Sequence, residues 1–287
     1  MKDQGSRTAE TSALQRALHT LHGHDPKIFE DPFALDLAGP LWKWLIGPRP
    51  LAWLLQPSWL KPIIAHHVAR SRYVEERLDQ LVDDGLAQYV LLGAGMDSFA
   101  LRRPDLVDRL TVFEIDHPGT QKRKRERLRK LGLSEPSHVK YAAVDFETGA
   151  LRDALTRSGF NSGKLTLFAW MGVMLYLTEA SIVSTLKAVA ERAAPGSEIV
   201  FDTLDRAAFT KGRNTRIGRR MFRVAEKWGE PMLSGFDPPE ISQLLTAAGF
   251  DMLEVVTPEA FRKLWFEGRS DGLAPWKHAY VVRARVC

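Results

Sequence analysis

Acidic residues recur at the ends of successive apolar runs. The stretch "YVLLGAGMDSFALRR" (89–103) reads as a buried strand that turns on Gly93 and Gly95 and then presents Asp97. "LTVFEID" (110–116) ends in Glu114 and Asp116, "VKYAAVDF" (139–146) in Asp145 and Phe146, and "EIVFDTL" (198–204) carries Asp202. An ionised carboxylate only accepts hydrogen bonds, so such tips suit a ribose diol and an adenine amino group, with an apolar neighbour against the ring face. The third glycine of the dinucleotide fingerprint Gly-x-Gly-x-x-Gly is missing, because Ser98 stands there. A pyrophosphate seeks open amides at a helix N-terminus and is repelled by an acid such as Asp97. S-adenosylmethionine has no phosphate and is cationic at its sulfonium and ammonium, so an acidic rim suits it. The residues favour S-adenosylmethionine over a nicotinamide dinucleotide. Taken singly, Asp116 before His117-Pro118 and Asp145 would also serve as helix caps.

These tips need a sheet to carry them. The runs 88–95, 110–116, 139–146, 165–172 and 198–204 are almost continuously apolar, as strands covered on both faces are. Later runs at 252–257 and 278–286 add two more strands. Helices are expected at 65–85, 118–132, 178–194 and 238–249, with Thr178 and Asp237 as caps. The alternation predicts an α/β fold with a parallel sheet wrapped by helices. In such a sheet a ligand sits at the carboxyl ends of the strands.

Two segments break the rhythm. Residues 39–64 carry Trp42, Trp44, Trp53 and Trp59 among five prolines, which divides them into short helices and excludes a membrane span. Residues 205–236 are too long for a simple connection and read as a lid or an inserted helix. The expected organisation is a helical arm with a tryptophan-rich cap (1–64) and a cofactor-binding domain (65–287) with its lid at 205–236. The tryptophans suggest an apolar or aromatic small-molecule substrate.

Composition narrows the remaining classes. The chain of 287 residues is 45% hydrophobic and 26% charged, with a formal charge of +5, which is ordinary for a globular protein. Cys287 is the only cysteine, which excludes an internal disulfide and a cysteine-based zinc site; no metal is expected. The polar N-terminus lacks a signal-peptide core, and a cytoplasmic location is the expectation. The basic run "KRKRERLRK" (122–130) invites a nucleic-acid reading, but its helical placement makes a solvated outer face the better one.

The sequence resembles the leucine carboxyl methyltransferase family, in particular its bacterial S-adenosylmethionine-dependent O-methyltransferases. "TAETSALQRALHTL", "KIFEDPFA" and "ARSRYVEERLDQLV" are similar to the family's arm and the helix before its sheet. "VLLGAGMDSFALR" is similar to its glycine signature, and "FEIDHPGTQKRKRERL" to its second strand and helix. The resemblance implies a Rossmann-like fold with a seven-stranded, mostly parallel sheet whose last strand is antiparallel. It implies that Arg70 pairs with the cofactor's methionine carboxylate and that Gly93 and Gly95 underlie its methionyl portion. It also implies that Asp116 binds the ribose with Glu114 close by, and that Asp145 and Phe146 contact the adenine. One position departs: where many members have a Glu near the cofactor's amino group, this chain has Met171. Either affinity is lower, or another acid such as Asp97 serves the ammonium.

Methyl transfer is an in-line displacement, and the enzyme's main task is to hold the nucleophile against the methyl carbon. A carboxylate acceptor needs no base, whereas a phenol or alcohol must lose a proton. Tyr176, Asp202, His278, His19, His22 and His24 are candidate proton acceptors, and none is compelling. The expectation is O-methyl transfer to a small-molecule carboxylate or hydroxyl. Three rivals stand beside it: a cofactor-binding pseudoenzyme, motivated by Met171; an NAD(P)-dependent oxidoreductase; and an RNA methyltransferase.

Overall fold

The computed structural model describes residues 6–47, 58–148 and 151–287. Seven strands form one sheet in the order β3-β2-β1-β4-β5-β7-β6. They are β1 (Gln88–Leu92), β2 (Thr111–Asp116), β3 (Val139–Ala143), β4 (Thr166–Trp170), β5 (Glu198–Leu204), β6 (Phe250–Val256) and β7 (Ala279–Val286). The first five pair in parallel, and β7 lies antiparallel to both β5 and β6. The predicted architecture is the observed one. Several runs are shorter than their apolar patterns suggested, because the chain leaves the ladder where the ligand-edge turns begin: β1 stops before Gly93 and β4 before Met171.

Among the described residues the α-helices longer than four residues are α1 (Arg7–His22), α2 (Ala34–Ala38), α3 (Pro40–Ile46), α4 (Lys61–Asp83), α5 (Pro118–Lys130), α6 (Leu151–Arg157), α7 (Glu179–Arg192), α8 (Arg216–Lys227) and α9 (Pro238–Ala247). Local signals set their ends. Thr178 accepts a hydrogen bond from the Ser181 amide, and Asp237 forms a reciprocal capping box with Glu240. Alternate residues of each central strand enter two cores on opposite faces. Tyr89, Leu91, Val112, Leu167 and Val200 pack with α1 and α4 on one face. Val90, Phe113, Phe168, Trp170 and Phe201 pack with α6, α7 and α9 on the other. This period of two explains why the strands are apolar throughout. No described helix is long and apolar enough to cross a membrane.

The basic run on α5 lies mostly on the outer face, as expected, with Lys122, Arg125, Arg129 and Lys130 exposed, and several of its members are paired. Arg123 and Arg127 both pair with Glu10 of α1, and Arg125 pairs with Glu135 and lies over the Tyr141 ring. Lys124 points into the fold, where its ammonium meets the Glu114 carboxylate at 2.6 Å with both side chains only 3% exposed. Burial raises the Glu114 carboxyl, and Lys124 opposes that shift. Removing one partner of such a pair strands the other charge at a cost of about 3–5 kcal/mol, whereas an apolar replacement of both is close to neutral. Lys124→Met is therefore expected to lower stability by about 3 kcal/mol in denaturant titrations. The loss should be smaller at pH 5 than at pH 8, since protonated Glu114 needs no counter-charge, and Glu114→Met/Lys124→Met should recover most of it.

Candidate functional site

Strand order reverses between β1 and β4, and there the carboxyl ends of β1 to β5 open into a cavity of about 460 Å³. That size and place are those of a small-molecule site in an open parallel sheet. The strand tips supply Gly93–Asp97, Asp116, Val144–Glu147, Met171–Val173 and Asp202. The opposite wall comes from α1 (Thr8, Ala9, Ser12, Arg16), from α4 (His66, His67, Arg70) and from residues 229–233 after α8.

Backbone is left bare at the tip of β1. Gly93 has φ 76° and Gly95 φ 53°, a region that costs a side chain about 1 kcal/mol or more. A Cβ on Gly93 would collide with Val173, and one on Gly95 would lie 3.1 Å from the Ala9 side chain. Just beyond, the Asp97 carboxylate accepts from the Phe99 amide at 2.7 Å. Asp116 is 8% exposed and accepts from two amides, Gly95 at 2.5 Å and His117 at 2.6 Å. Burial pushes its carboxyl up to about 6 against those two bonds. Asp145 accepts from the Glu147 amide at 3.1 Å, and the neighbouring Phe146 is buried with its ring 6.5 Å from that of Trp170.

A second cluster faces this one across the cavity. Asp202 accepts from Arg70 at 2.5 Å, from the Gly172 amide at 2.5 Å and shares a proton contact with His66 Nε2 at 2.8 Å. Burial alone would raise the Asp202 carboxyl, but Arg70, His66 and the Gly172 amide outweigh it and hold it well below the usual carboxylate range. So strongly acidic a carboxyl is a poor proton acceptor, and its geometry is that of a group holding Arg70 in place. Burial pushes the Tyr176 phenol up to about 12, which leaves it a hydrogen-bond donor at neutral pH rather than a base.

Arg70, Gly93, Gly95, Asp97, Asp116, Asp145, Phe146, Met171, Tyr176 and Asp202 all line the one cavity. Glu114 does not. It lies two residues short of the β2 tip, and its carboxylate is taken by Lys124 beneath the sheet edge. The candidate histidines of the arm and C-terminus also lie elsewhere. His19 accepts from the Ile28 amide inside the arm, His22 contacts the Ile46 carbonyl, and His278 pairs with Asp205. The described tryptophans of residues 39–64 are not among the cavity's lining: Trp42 packs on the core, Trp44 is 72% exposed, and Trp59 lies under Arg220 of α8 at 4.2 Å. Trp53 falls outside the described residues; Trp276 lines the cavity instead. The Arg220–Trp59 contact does bring the two insertions together.

Sequence reasoning missed His66, His67 and Ser12. His66 is four residues before Arg70, the spacing of one helix face, and that signal was available in "AHHVARSRY". Ser12 reaches the site only through docking of α1, which no local pattern announces. Among the described residues no cluster of three or more His, Cys, Asp or Glu could hold a metal ion.

Comparison with known proteins decides the family. The model of the leucine carboxyl methyltransferase family matches residues 9–190. The chain belongs to that family. A Bacillus subtilis protein named "Putative S-adenosyl-L-methionine-dependent methyltransferase YktD" is 34% identical over 302 residues, covering 99% of this chain and 98% of its own. A Frankia alni relative of the same description is 30% identical over 80% of this chain and 73% of its own. Solved structures share the fold at low identity. A DUF574 family protein from Streptomyces avermitilis has a TM-score of 0.56 at 14% identity, over 96% of this chain and 97% of its own. A methyltransferase-like chain from Thermobifida fusca also has a TM-score of 0.56, at 15% identity over 99% and 96%. This leucine carboxyl methyltransferase family member is an S-adenosylmethionine-dependent methyltransferase.

The Asp202 cluster makes a direct prediction. Asp202→Asn leaves the buried Arg70 guanidinium without its counter-charge, a loss of about 3–5 kcal/mol. Denaturant unfolding at pH 7.5 should show that drop with the slope unchanged.

Proposed function

We propose that this methyltransferase transfers a methyl group to oxygen, on a small-molecule carboxylate or hydroxyl. The observation that carries the reading is the convergence of Arg70, the bare Gly93–Gly95 backbone, Asp116 and the Asp145–Phe146 pair on one cavity. These groups fit S-adenosylmethionine part by part. Arg70 retains donors beyond those given to Asp202 and Ser12, enough for a carboxylate. The glycines leave space where a Cβ would meet Val173 or Ala9. Each oxygen of Asp116 accepts one amide and keeps acceptor capacity for a ribose hydroxyl. Phe146 offers an apolar surface beside an acceptor, as an adenine requires. Bound there, the cofactor supplies an electrophilic methyl on a cationic sulfur. The family's carboxyl methyltransferase description supports an oxygen acceptor.

Residues 1–64 act in this reading as an arm and cap, residues 65–287 as the cofactor-binding domain, and 205–236 as a lid. The chain's own work is to exclude water and aim the acceptor. Glu230, after α8, accepts from the Arg7 amide at 3.0 Å and the Thr8 amide at 3.1 Å, so the lid segment caps the first turn of α1 over the cavity. Met221, Met232 and Leu233 line the same side and suit an apolar acceptor. A cytoplasmic setting suits a chain whose one cysteine is Cys287.

The test is to incubate the protein with S-adenosylmethionine and a panel of carboxylic acids, phenols, alcohols and amines, and to identify methyl esters or ethers by mass spectrometry. Methylation confined to nitrogen or carbon would overturn the oxygen reading. Asp116 predicts the cofactor's pH dependence. Its ionised form accepts from ribose hydroxyls, so S-adenosylhomocysteine affinity should be full at pH 7.5 and weaken as pH falls through about 6. Calorimetric titration of Asp116→Asn should show at least tenfold weaker binding at pH 7.5 and a flat profile over that range.

A further inference from the structure

Arg16 and Arg70 are the arginines among the described residues that line the cavity, and both are committed to buried carboxylates. Acids outnumber them there: Asp97, Asp116, Asp145, Glu147 and Glu230 add negative charge to the walls. An anionic acceptor would meet no uncommitted arginine or lysine among those walls, while a neutral hydroxyl avoids the repulsion. A hydroxyl must shed its proton, so its acceptor should be found in the same walls.

One chain of hydrogen bonds offers it. His67 Nδ1 lies 2.8 Å from the Ile63 carbonyl, one turn back on α4, so this nitrogen carries the ring proton and donates. Nε2 is thereby left with its lone pair, and the Ser12 hydroxyl of α1 donates to it at 3.0 Å. Arg70 donates to the same hydroxyl at 3.3 Å. The Ser12 oxygen has two lone pairs, one taken by Arg70 and one left for a further donor. Both Ser12 and His67 line the cavity. Burial, helped by the Arg70 charge and the neighbouring His66 and opposed by the Ile63 hydrogen bond and Asp202, holds His67 well below its ordinary value. The ring therefore rests neutral with its Nε2 lone pair free and holds an added proton only transiently before passing it on.

Building on the oxygen-acceptor reading, we propose that the acceptor is a phenol or alcohol whose proton passes through Ser12 to His67. The acceptor's O–H bond breaks as its hydrogen moves to Ser12 Oγ, and the Ser12 hydrogen moves to His67 Nε2. The oxygen keeps the electron pair and forms the new bond to the methyl carbon, while the sulfur keeps the pair of the bond that breaks. The imidazolium returns its proton to solvent as product leaves. His67 is the terminal base and Ser12 the relay; Ile63 fixes the tautomer, and Asp202 acts only by holding Arg70.

The experiment compares wild type, His67→Gln and Ser12→Ala on phenols, alcohols and carboxylic acids, with S-adenosylhomocysteine binding measured for each. Wild type should methylate phenols or alcohols. Both variants should lose at least about 100-fold in kcat on them at pH 7.5, with cofactor affinity within about twofold. The His67→Gln rate should climb with pH as hydroxide replaces the base. Independently of turnover, imidazole ¹⁵N spectra of the complex with S-adenosylhomocysteine should show His67 protonated on Nδ1 and bare on Nε2. Wild-type rates in His67→Gln, or a proton on Nε2, would overturn the proposal, and wild-type rates in Ser12→Ala would overturn the relay. Methylation of carboxylic acids alone would overturn it and leave the oxygen reading standing. No cofactor binding and no methyl transfer to any acceptor would overturn both.

Discussion

A buried carboxylate with no counter-charge is among the costliest features a fold can carry, and Asp202 sits near the tip of β5 at 2% exposure. The surrounding structure is arranged to satisfy it. Arg70 and His66 come to it from successive turns of α4, and the Gly172 amide comes from the loop after β4. The loop can approach because Gly172 has φ 70° and no side chain; a Cβ there would lie 2.8 Å from the Arg70 guanidinium. One carboxylate thus fixes the helix before the sheet, the tip of β4 and the direction of the arginine that faces the cavity. A guanidinium held in this way loses little rotamer freedom when it binds a ligand, which is the sense in which the site is preorganised.

The same electrostatic logic extends to the arm. Arg16 of α1 pairs with Asp31 at 2.8 Å and donates to the Met96 carbonyl at 2.8 Å, tying the arm to the loop after β1. Glu10 meets Arg123 and Arg127 of α5, and Glu230 caps the helix at its N-terminus, where an acid is favoured by the exposed amides. Three separate parts of the chain therefore hold α1 over the strand tips. Its apolar face, with Ala13, Leu14, Ala17 and Leu18, enters the same core as Tyr89 and Leu91. Placement of Ser12 beside His67 follows from that docking.

What could be read from the sequence divides along the same line. Strands and helices were legible because apolar periodicity and capping residues are local, and the acids at 97, 116, 145 and 202 were legible because a parallel sheet brings strand ends to one edge. Glu114 misled because it is on the same strand face as Asp116 and only two residues away. Whether it reached the edge depended on Lys124, a partner ten residues on whose burial the basic run concealed. The tryptophans of residues 39–64 carried less information about the site, because a bulky apolar side chain announces packing, not which surface it packs on. His67 and Ser12 are separated by 55 residues and meet through helix docking, a long-range event with no signature in either segment.

Met171 completes the electrostatic picture. It lines the cavity while packing against the core shared by α1 and α4. A carboxylate at that position would stand next to Gly172, whose amide already serves Asp202, and close to an arginine whose charge Asp202 already balances. Glu75, the nearby acid on α4, is committed through both oxygens to Arg102. Asp97 differs, since its carboxylate binds the Phe99 amide and lines the cavity with no ion pair among the described contacts. With methionine at 171, negative charge on this side of the cavity is carried by Asp97, on the turn that follows the bare glycines. With methionine here the wall holds one acid fewer than a carboxylate at 171 would give it, and Arg70 has a single carboxylate, that of Asp202, to satisfy before a ligand arrives.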